Sequence, residues 1–400
     1  MASTLERAKA APLHVTLVPK NDLASYRVPE PYIQNISALR FTKLTTTEQL
    51  KQALPGFPQS TPNLRSLRLG LVRGTVWDQS VDPFESLAPT LRCLELFHLT
   101  LYPSILRLKS LAVFVYISIR SDLHIDTLLD FLEENHSLKS VNLGIVFRED
   151  SLRHSRRRTP IKNQLRDLSI HCLGTIMDGQ ALISGIGLQK GGCLSIPCRM
   201  GAKLNDILSG VSPTHLLNFR SSTLMEYKSY TRKIRLVGPN GELSLENTYI
   251  FSWGDPFVEF PQLSLTHIQE FRLVHRVPED GDYTPVPIVF DQSSFPALET
   301  LAVDCETSVS HLLSALFSNP SSPPSLKTLA FLNCDLGEDF MGKLTRYASD
   351  RRGTTSAWLH QVVIVNSDGI LPSVSSIRKL EEHVPVVDVK VGTKLPKDLS

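Results

Sequence analysis

Apolar residues recur along this chain in a short pattern, L-x-x-L-x-L, in which other large apolar residues replace some of the leucines. Each copy alternates apolar and polar positions, as a half-buried β-strand does. Ten segments carry the pattern: Ile36-Leu39-Phe41, Leu64-Leu67-Leu69, Leu91-Leu94-Leu96, Leu108-Leu111-Val113, Leu138-Val141-Leu143, Leu165-Leu168-Ile170, Ile268-Phe271-Leu273, Leu298-Leu301-Val303, Leu326-Leu329-Phe331 and Leu359-Val362-Ile364. Most neighbouring copies begin 27–30 residues apart, which predicts one repeated structural unit.

Between these segments the apolar spacing changes to about 3.6 residues, which predicts amphipathic helices. Residues 125–135 place Leu128, Leu129 and Leu132 on one face, with Asp126 as the candidate N-cap. The other predicted helices are 203–209, 309–318, 338–347 and 376–383. A strand and a helix repeated at one period predict a parallel sheet covered by helices, because neither layer can bury its apolar face alone.

A long interval separates the copies that begin at Leu165 and Ile268. Its length is close to four repeats, and residues 193–197, 215–219 and 233–237 are predicted as degenerate strands within it. The copy that begins at Leu326 completes a longer consensus, L-x-x-L-x-L-x-x-N/C-x-L. That consensus predicts that the Cys334 side chain packs inside the turn after the strand.

The pattern and its spacing are typical of leucine-rich repeats, which have about 20–29 residues each. We therefore expect an α/β fold, a single irregular leucine-rich-repeat solenoid (horseshoe) of about twelve units. Parallel strands would line its concave side and helices its convex side. An N-terminal cap over 1–35, with a first strand at 12–17, would precede repeats over 36–391 and a tail over 392–400. A two-domain α/β protein is the alternative that a length of 400 residues permits.

Charge and composition exclude several classes of protein. Lys and Arg number 42 against 40 Asp and Glu, a net charge of +2, which gives no whole-chain argument for nucleic acid or an anionic membrane. No apolar run reaches the roughly 18 residues of a membrane span, and the first residues lack the apolar core of a signal peptide. Six scattered cysteines are typical of reduced thiols. We expect a cytoplasmic or nuclear protein that does not bind a membrane.

The repeats and one short segment resemble proteins of the fungal F-box/leucine-rich-repeat family. The segment is residues 5–13, LERAKAAPL, which is similar to an L-x-R-x-x-x-x-P-L passage that follows the F-box in that family. The resemblance implies that the repeats recruit a protein to a cullin-RING (SCF) ubiquitin ligase, which the F-box engages through a Skp-type adaptor. Eleven residues before Pro12 are too few for an F-box, so we expect adaptor binding only if an F-box lies upstream. A truncated gene model and a shortened paralogue explain this departure equally well.

Motifs of catalysis and metal binding are incomplete in this sequence. The chain has no G-x-S-x-G, and its glycine-rich residues 185–192 match neither the phosphate-binding pattern G-x-x-x-x-G-K-S/T nor a correctly placed G-x-G-x-x-G. Cys193 and Cys198 lack the second close pair that a structural zinc site needs. We therefore expect no enzyme activity, no cofactor and no metal.

One basic cluster stands out between two predicted strands: Arg153, Arg156, Arg157, Arg158 and Lys162. Such a cluster is able to bind phosphate or nucleic acid. No aromatic side chains alternate with these arginines to stack on bases, so a solvated loop is the preferred interpretation and nucleic acid is not expected as a partner.

The expected function is non-catalytic recognition of a protein partner on the concave face. In an L-x-x-L-x-L strand the leucines face the core and the alternate side chains line the other face of the sheet. The candidate binding residues are Arg68, Glu95, Asn142, Asp167, His171, Glu270, Arg272 and Asp304. The alternatives are phosphate or nucleic-acid binding through residues 153–162, and an uncharacterised two-domain α/β enzyme.

Overall fold

The computed structural model divides the chain into two compact units, Met1–Ala202 (unit 1) and Lys203–Ser400 (unit 2). The structure describes residues 11–17, 28, 30–46, 49, 57, 59, 61–72, 82, 84, 90–99, 101–121, 123–147, 161, 165–171, 176–198, 217–228, 231, 233–247, 265–275, 295–305, 313–321, 323–354, 358–366 and 371–392.

Unit 1 contains a parallel sheet whose eight strands lie side by side in chain order. The strands are β1 (Leu13–Leu17), β2 (Ile36–Leu44), β3 (Ser66–Leu71), β4 (Cys93–Phe97), β5 (Val113–Ser121), β6 (Ser140–Phe147), β7 (Asp167–Ile170) and β8 (Gly192–Cys198). Its helices are α1 (Glu30–Ile33), α2 (Pro103–Leu106), α3 (Ile125–Glu134) and α4 (Ile176–Gly185). The predicted strands at 12–17 and 193–197 are confirmed.

The apolar positions of the repeated pattern form the core of unit 1. Leu64, Leu67 and Leu69 are each 0% exposed, whereas Ser66 and Arg68 between them are only half-buried. Leu67 lies beside Leu94 of β4 in the parallel register, so equivalent leucines of neighbouring repeats stack on one another. The sheet therefore has one apolar, covered face and one face of mixed side chains.

A row of small polar side chains joins the turns that precede β3 to β6. Each residue lies one position before the first apolar residue of its pattern and donates a hydrogen bond to a backbone carbonyl. Asn63 donates to Gln34 O (2.9 Å), Thr90 to Leu64 O (3.0 Å), Ser110 to Leu91 O (2.8 Å) and Ser137 to Lys109 O (3.4 Å). These bonds satisfy carbonyls of the tight turns, which tandem repeats place next to one another.

The predicted register of β5 is wrong by three residues. The structure pairs Phe114 with Val141 and Tyr116 with Leu143. The pattern is therefore Leu111-Phe114-Tyr116 and not Leu108-Leu111-Val113, and Val113 lies half-buried on the opposite face of the strand. Pairing decides this register because β5 and its flanks are apolar at successive positions, so the pattern alone fits two alignments.

Unit 2 contains eight strands in the order β11-β10-β9-β12-β13-β14-β15-β16. They are β9 (Leu224–Lys228), β10 (Lys233–Gly238), β11 (Gly241–Asn247), β12 (Glu270–His275), β13 (Thr300–Cys305), β14 (Thr328–Leu332), β15 (Gln361–Asn366) and β16 (Val386–Val391). β9 and β12 to β16 are mutually parallel, but β10 pairs antiparallel with both β9 and β11. A wholly parallel sheet is thus a wrong expectation for this segment.

Within the long interval between repeats, a second prediction, the strand at 215–219, also differs from the structure. The described part of the predicted strand at 215–219 is helical, within α5 (Leu217–Arg220). The predicted strand at 233–237 is real and forms β10, which turns back through Gly238 and Gly241 into β11. An antiparallel meander therefore occupies a position where parallel repeats were expected.

The remaining helices of unit 2 are α6 (Ser314–Ser318), α7 (Glu338–Thr354) and α8 (Val374–Glu381). These and α3 confirm the predicted helices at 125–135, 338–347 and 376–383, with α7 about two turns longer than its pattern indicates. Of the predicted helix 309–318, residues 314–318 are helical and 309–312 lie outside the described residues, as does all of 203–209. The N-cap of α3 is His124 rather than Asp126, since its side chain accepts from Asp126 N.

Strands β13 to β15 are buried on both faces. Leu301, Leu329 and Val362 lie in register on the leucine side. The alternate positions Ala330 and Val363 are also fully buried and form a second apolar cluster with Ala302 and Val365. Their sequences, such as QVVIVN in β15, are accordingly almost continuously apolar.

Candidate functional site: the open face of unit 1

The open face of unit 1 is the side of its sheet opposite the buried leucines. Its central row, in register across β2 to β6, is Arg40, Arg68, Glu95, Val115 and Asn142. Strand pairing therefore brings residues that are far apart in sequence into one line. Adjacent members of this line lie on neighbouring strands, which are about 4.8 Å apart across the sheet.

Arg68 is held in place by two neighbours on β4. Its Nη1 lies 3.1 Å from Glu95 Oε2, and its guanidinium lies 4.7 Å from the centre of the Phe97 ring. Both charged side chains are partly exposed, 36% for Arg68 and 25% for Glu95. Such a pair adds little to stability, but it fixes the direction of both charges on the open face.

Next to this ion pair lies an apolar surface that we call the β4–β5 patch: Phe97, Val113, Val115 and Ile117. Phe97 is opposite Ile117 in the parallel register, and Glu95 is opposite Val115. All four side chains are half-buried, so each keeps apolar surface in contact with water. An apolar centre beside oriented polar groups is the usual arrangement of a protein-binding surface.

Asn142 borders the patch on β6, opposite Val115. Its Oδ1 is buried and accepts no hydrogen bond within the described structure. Buried polar atoms are nearly always satisfied, so this oxygen is an exceptional acceptor at the border of the patch.

The other predicted residues of unit 1 lie at one end of this face. Asp167 is exposed at the start of β7, and His171 follows the end of β7 with its backbone N–H donating to Leu143 O (2.7 Å). Strand β6 separates both residues from the β4–β5 patch.

Glu270, Arg272 and Asp304 belong to unit 2. Arg272 is paired with Glu270 two residues earlier on the same strand, and Asp304 accepts from Asn333 Nδ2 at 3.3 Å. On the neighbouring meander Arg235 donates two 2.8 Å bonds to Glu242, and this interaction holds the pKa of the Glu242 carboxyl below its ordinary value. The charges of this surface are therefore largely neutralised by their own neighbours.

The sequence pattern indicated Arg68, Glu95 and Asn142 as candidates but missed Arg40 and the apolar centre of the open face. Phe97 alternates with the buried Leu94 and Leu96, as Glu95 does, so the alternation itself could have indicated it. Val113 was assigned to the core because of the β5 register error, and the correct register places Val113, Val115 and Ile117 together on the open face.

Cys334 has the structural position that the long consensus predicts. Its side chain is buried, and Sγ lies 3.3 Å from the carbonyl oxygens of Val303 and Leu332. Burial raises the pKa of this thiol far above its ordinary value, which keeps it protonated and able to donate. The thiol therefore closes the turn after β14.

The part of the chain that the structure describes holds no cluster of three or more His, Cys, Asp or Glu residues with the geometry of a metal site. None of its helices is both long enough and apolar enough to cross a membrane. Arg153, Arg156, Arg157, Arg158 and Lys162, the predicted basic loop, lie outside the described residues.

The likeness of this chain to known proteins is structural and weak. No protein-family model matches the chain, and no curated protein matches it. Among solved structures, a leucine-rich-repeat protein of Leptospira interrogans matches with 13% identity and a TM-score of 0.27, over 97% of this chain and 91% of that chain.

Proposed function

We propose that this protein is a non-catalytic recognition protein of the leucine-rich-repeat type, which binds a protein partner on the open face of unit 1. The observation that carries the proposal is the β4–β5 patch beside the oriented Arg68–Glu95 pair. Aromatic and apolar side chains at the centre of a surface, flanked by fixed charges and an unsatisfied acceptor at Asn142, suit a protein rather than a small anion. The division into a cap (1–35), repeats (36–391) and a tail (392–400) stays a prediction.

The proposed binding surface combines residues that the sequence predicts with the β4–β5 patch, which strand pairing places beside them. Arg68, Glu95 and Asn142 supply the polar contacts, and the β4–β5 patch supplies the apolar area. Glu270, Arg272 and Asp304 would contribute a second, separate surface on unit 2, where intramolecular pairing lowers the gain from binding.

The experiment compares partner capture by the wild type and by a patch variant. Val115→Lys with Ile117→Lys places two charges in the apolar centre. Val374→Lys with Val391→Lys, at side chains already 67% and 66% exposed, is the matched control. Proteins cross-linked to the wild type are identified and their Kd values measured. We expect the double variant to weaken a true partner at least tenfold and the control to leave its Kd unchanged. Equal affinity for wild type and double variant would refute the site.

A narrower form of the proposal is a substrate receptor of SCF ubiquitin ligases. It rests on the resemblance of residues 5–13 to the passage that follows an F-box, and residues 5–10 lie outside the described structure. A pull-down of residues 1–400 with a purified Skp-type adaptor, beside a fusion carrying an F-box, tests it. We expect the fusion alone to bind the adaptor and to present the same captured partner for ubiquitination. A fusion that binds the adaptor but never promotes ubiquitination of that partner would reject the ligase role while leaving protein recognition intact.

A further inference from the structure

A row of basic residues lies along one rim of the unit 1 sheet. Arg65, Arg92, Lys139 and Arg166 each hold the second position of the L-x-x-L-x-L pattern, immediately before a strand begins. All four side chains are exposed. We call these four residues the basic rim. None of them belongs to the open face or to the predicted loop 153–162.

Backbone hydrogen bonds fix the order and spacing of the rim. Arg92 N donates to Arg65 O (2.8 Å), and Arg166 N donates to Lys139 O (2.8 Å). Ala112 connects the two pairs, since it donates to Arg92 O (2.7 Å) and accepts from Lys139 N (2.9 Å). Five neighbouring strands at about 4.8 Å each place the first and last cation about 19 Å apart.

The positive charges of the rim are not neutralised within the described structure. None of the four residues forms an ion pair there, in contrast to Arg68, Arg235 and Arg272. Arg92 donates to the carbonyl oxygen of Ser110 at 2.8 Å, which positions its guanidinium and leaves other N–H donors available. The equivalent positions before β12 to β15 hold Gln269, Glu299, Lys327 and His360, where Lys327 is paired with Glu299 at 3.1 Å. The uncompensated row is therefore specific to unit 1.

A cavity opens at one end of the rim, and Ala11, Pro12 and Ala38 line it together with polar side chains. The cavity has a volume of about 700 Å³, and its lining includes Arg65, Asn63, Asn35, Ser66 and His14. Amide, hydroxyl and guanidinium groups are hydrogen-bond donors that suit carboxylate oxygens.

We propose that the basic rim binds an acidic segment of a partner protein, laid in extended form across the strand ends. Six extended residues span about 20 Å, which matches the length of the row. Guanidinium groups bind carboxylates through two parallel hydrogen bonds, and three of the four cations are arginines. A single-stranded nucleic acid is disfavoured, because no aromatic residue occupies a rim position to stack on bases.

The probe that tests this proposal is a fluorescent octaglutamate peptide, titrated with the full chain at low salt and followed by anisotropy. The rim variant is Arg65→Gln, Arg92→Gln, Lys139→Gln and Arg166→Gln together. The matched control removes four exposed cations of unit 2: Lys327→Gln, Lys343→Gln, Arg346→Gln and Lys379→Gln. Both variants lower the net charge from +2 to −2, since 2 − 4 = −2. A difference between them therefore reports position and not total charge.

We expect the rim variant to raise the Kd for octaglutamate at least tenfold and the control to change it less than twofold. Octaglutamine should not bind, and raised salt should weaken the wild-type complex. The variant Lys139→Gln with Arg166→Gln keeps half of the row and should lose affinity to an intermediate degree. All variants should melt within about 2 °C of the wild type, since exposed substitutions rarely alter stability.

Three results would overturn the proposal: no binding of octaglutamate by the wild type, equal loss in both variants, or tighter rim-dependent binding of octathymidylate than of the peptide. The last result would assign the rim to nucleic acid. Val115→Lys with Ile117→Lys should retain octaglutamate binding, because the open face is a different surface. Failure of the rim and failure of the open-face proposal are thus separate outcomes.

Discussion

Arg351 Nη2 donates a hydrogen bond to the carbonyl oxygen of Leu326 at 2.9 Å, with the whole Arg351 side chain 0% exposed. The same guanidinium donates to Pro320 O (2.8 Å) and Pro323 O (2.7 Å), and it lies against Tyr347 one turn earlier on α7. Proline supplies a carbonyl acceptor but no N–H donor to a turn. Arg351 therefore provides the donors that the proline-rich segment before β14 lacks, and it connects this segment to α7.

Replacing Arg351 should destabilise the protein strongly. We expect Arg351→Met to lower the free energy of unfolding by about 3 kcal/mol or more, because several buried carbonyls lose their donors while the apolar stem is largely retained. Arg346→Met, on the exposed side of the same helix, should stay within about 0.5 kcal/mol of the wild type. Urea denaturation measures both variants, and equal midpoints would show that the buried hydrogen bonds of Arg351 do not stabilise the segment before β14.

The stacked leucines should be the most sensitive apolar positions. Leu329 is fully buried between Leu301 and Val362 of the neighbouring strands. Leu329→Ala should cost about 2–5 kcal/mol, since the stacked neighbours on both sides limit collapse of the cavity. The exposed Lys327→Ala, two residues earlier, is expected within about 0.5 kcal/mol. A comparable loss in the lysine variant would contradict the register of β14.

Much of this fold follows from the spacing of apolar residues, because stacked repeats bury the same positions in every unit. The places where prediction failed are those where two local signals compete. β5 and its flanks offer large apolar residues at 108, 111, 114 and 116, and only pairing with Val141 and Leu143 selects between the alignments. The β10–β11 hairpin carries an Asn240-Gly241 turn signal, which is typical of antiparallel strands. The strong expectation of a parallel repeat outweighed that signal.

In the candidate sites, too, the alternation of apolar and polar positions identifies residues but not the contacts between strands. The second position of the pattern displays Arg65, Arg92, Lys139 and Arg166 directly in the sequence. The pairing of Arg68 with Glu95, in contrast, depends on which residues of neighbouring strands face each other. Strand register is a tertiary property, so the neutralisation of charges on the open face could not be derived from one sequence.

Two glycines test whether backbone space limits substitution. A Cβ added at Gly238, where β10 turns toward β11, would lie 2.7 Å from the Cα of Ser222, whereas one added at Gly342 in α7 meets no atom within 4 Å. We expect Gly238→Ala to destabilise by about 1–3 kcal/mol through overpacking against backbone. Gly342→Ala should stabilise by about 0.5–1 kcal/mol, because alanine favours the helix. Thermal unfolding measures both variants, and shifts of the same sign would contradict the close approach of Gly238 to Ser222.

His275 should make stability fall on mild acidification. It lies at an inward position at the end of β12, opposite Cys305, and burial lowers the pKa of its imidazole below the ordinary 6.5. Between the lowered folded-state pKa and about 6.5 the unfolded chain binds more protons, so stability rises with pH across that window and is lost as pH falls through it. Glu242 acts at lower pH. Arg235 lowers the folded-state pKa of this carboxyl from its ordinary value of about 4.5, so its stabilisation is lost only as pH falls below 4.5 through that lowered pKa. We therefore expect His275→Gln to flatten the dependence of unfolding free energy on pH just below 6.5, and Glu242→Gln to leave that interval unchanged. Urea denaturation at half-unit pH steps gives the slopes, and the same slope in His275→Gln as in the wild type would show that His275 is not the group responsible.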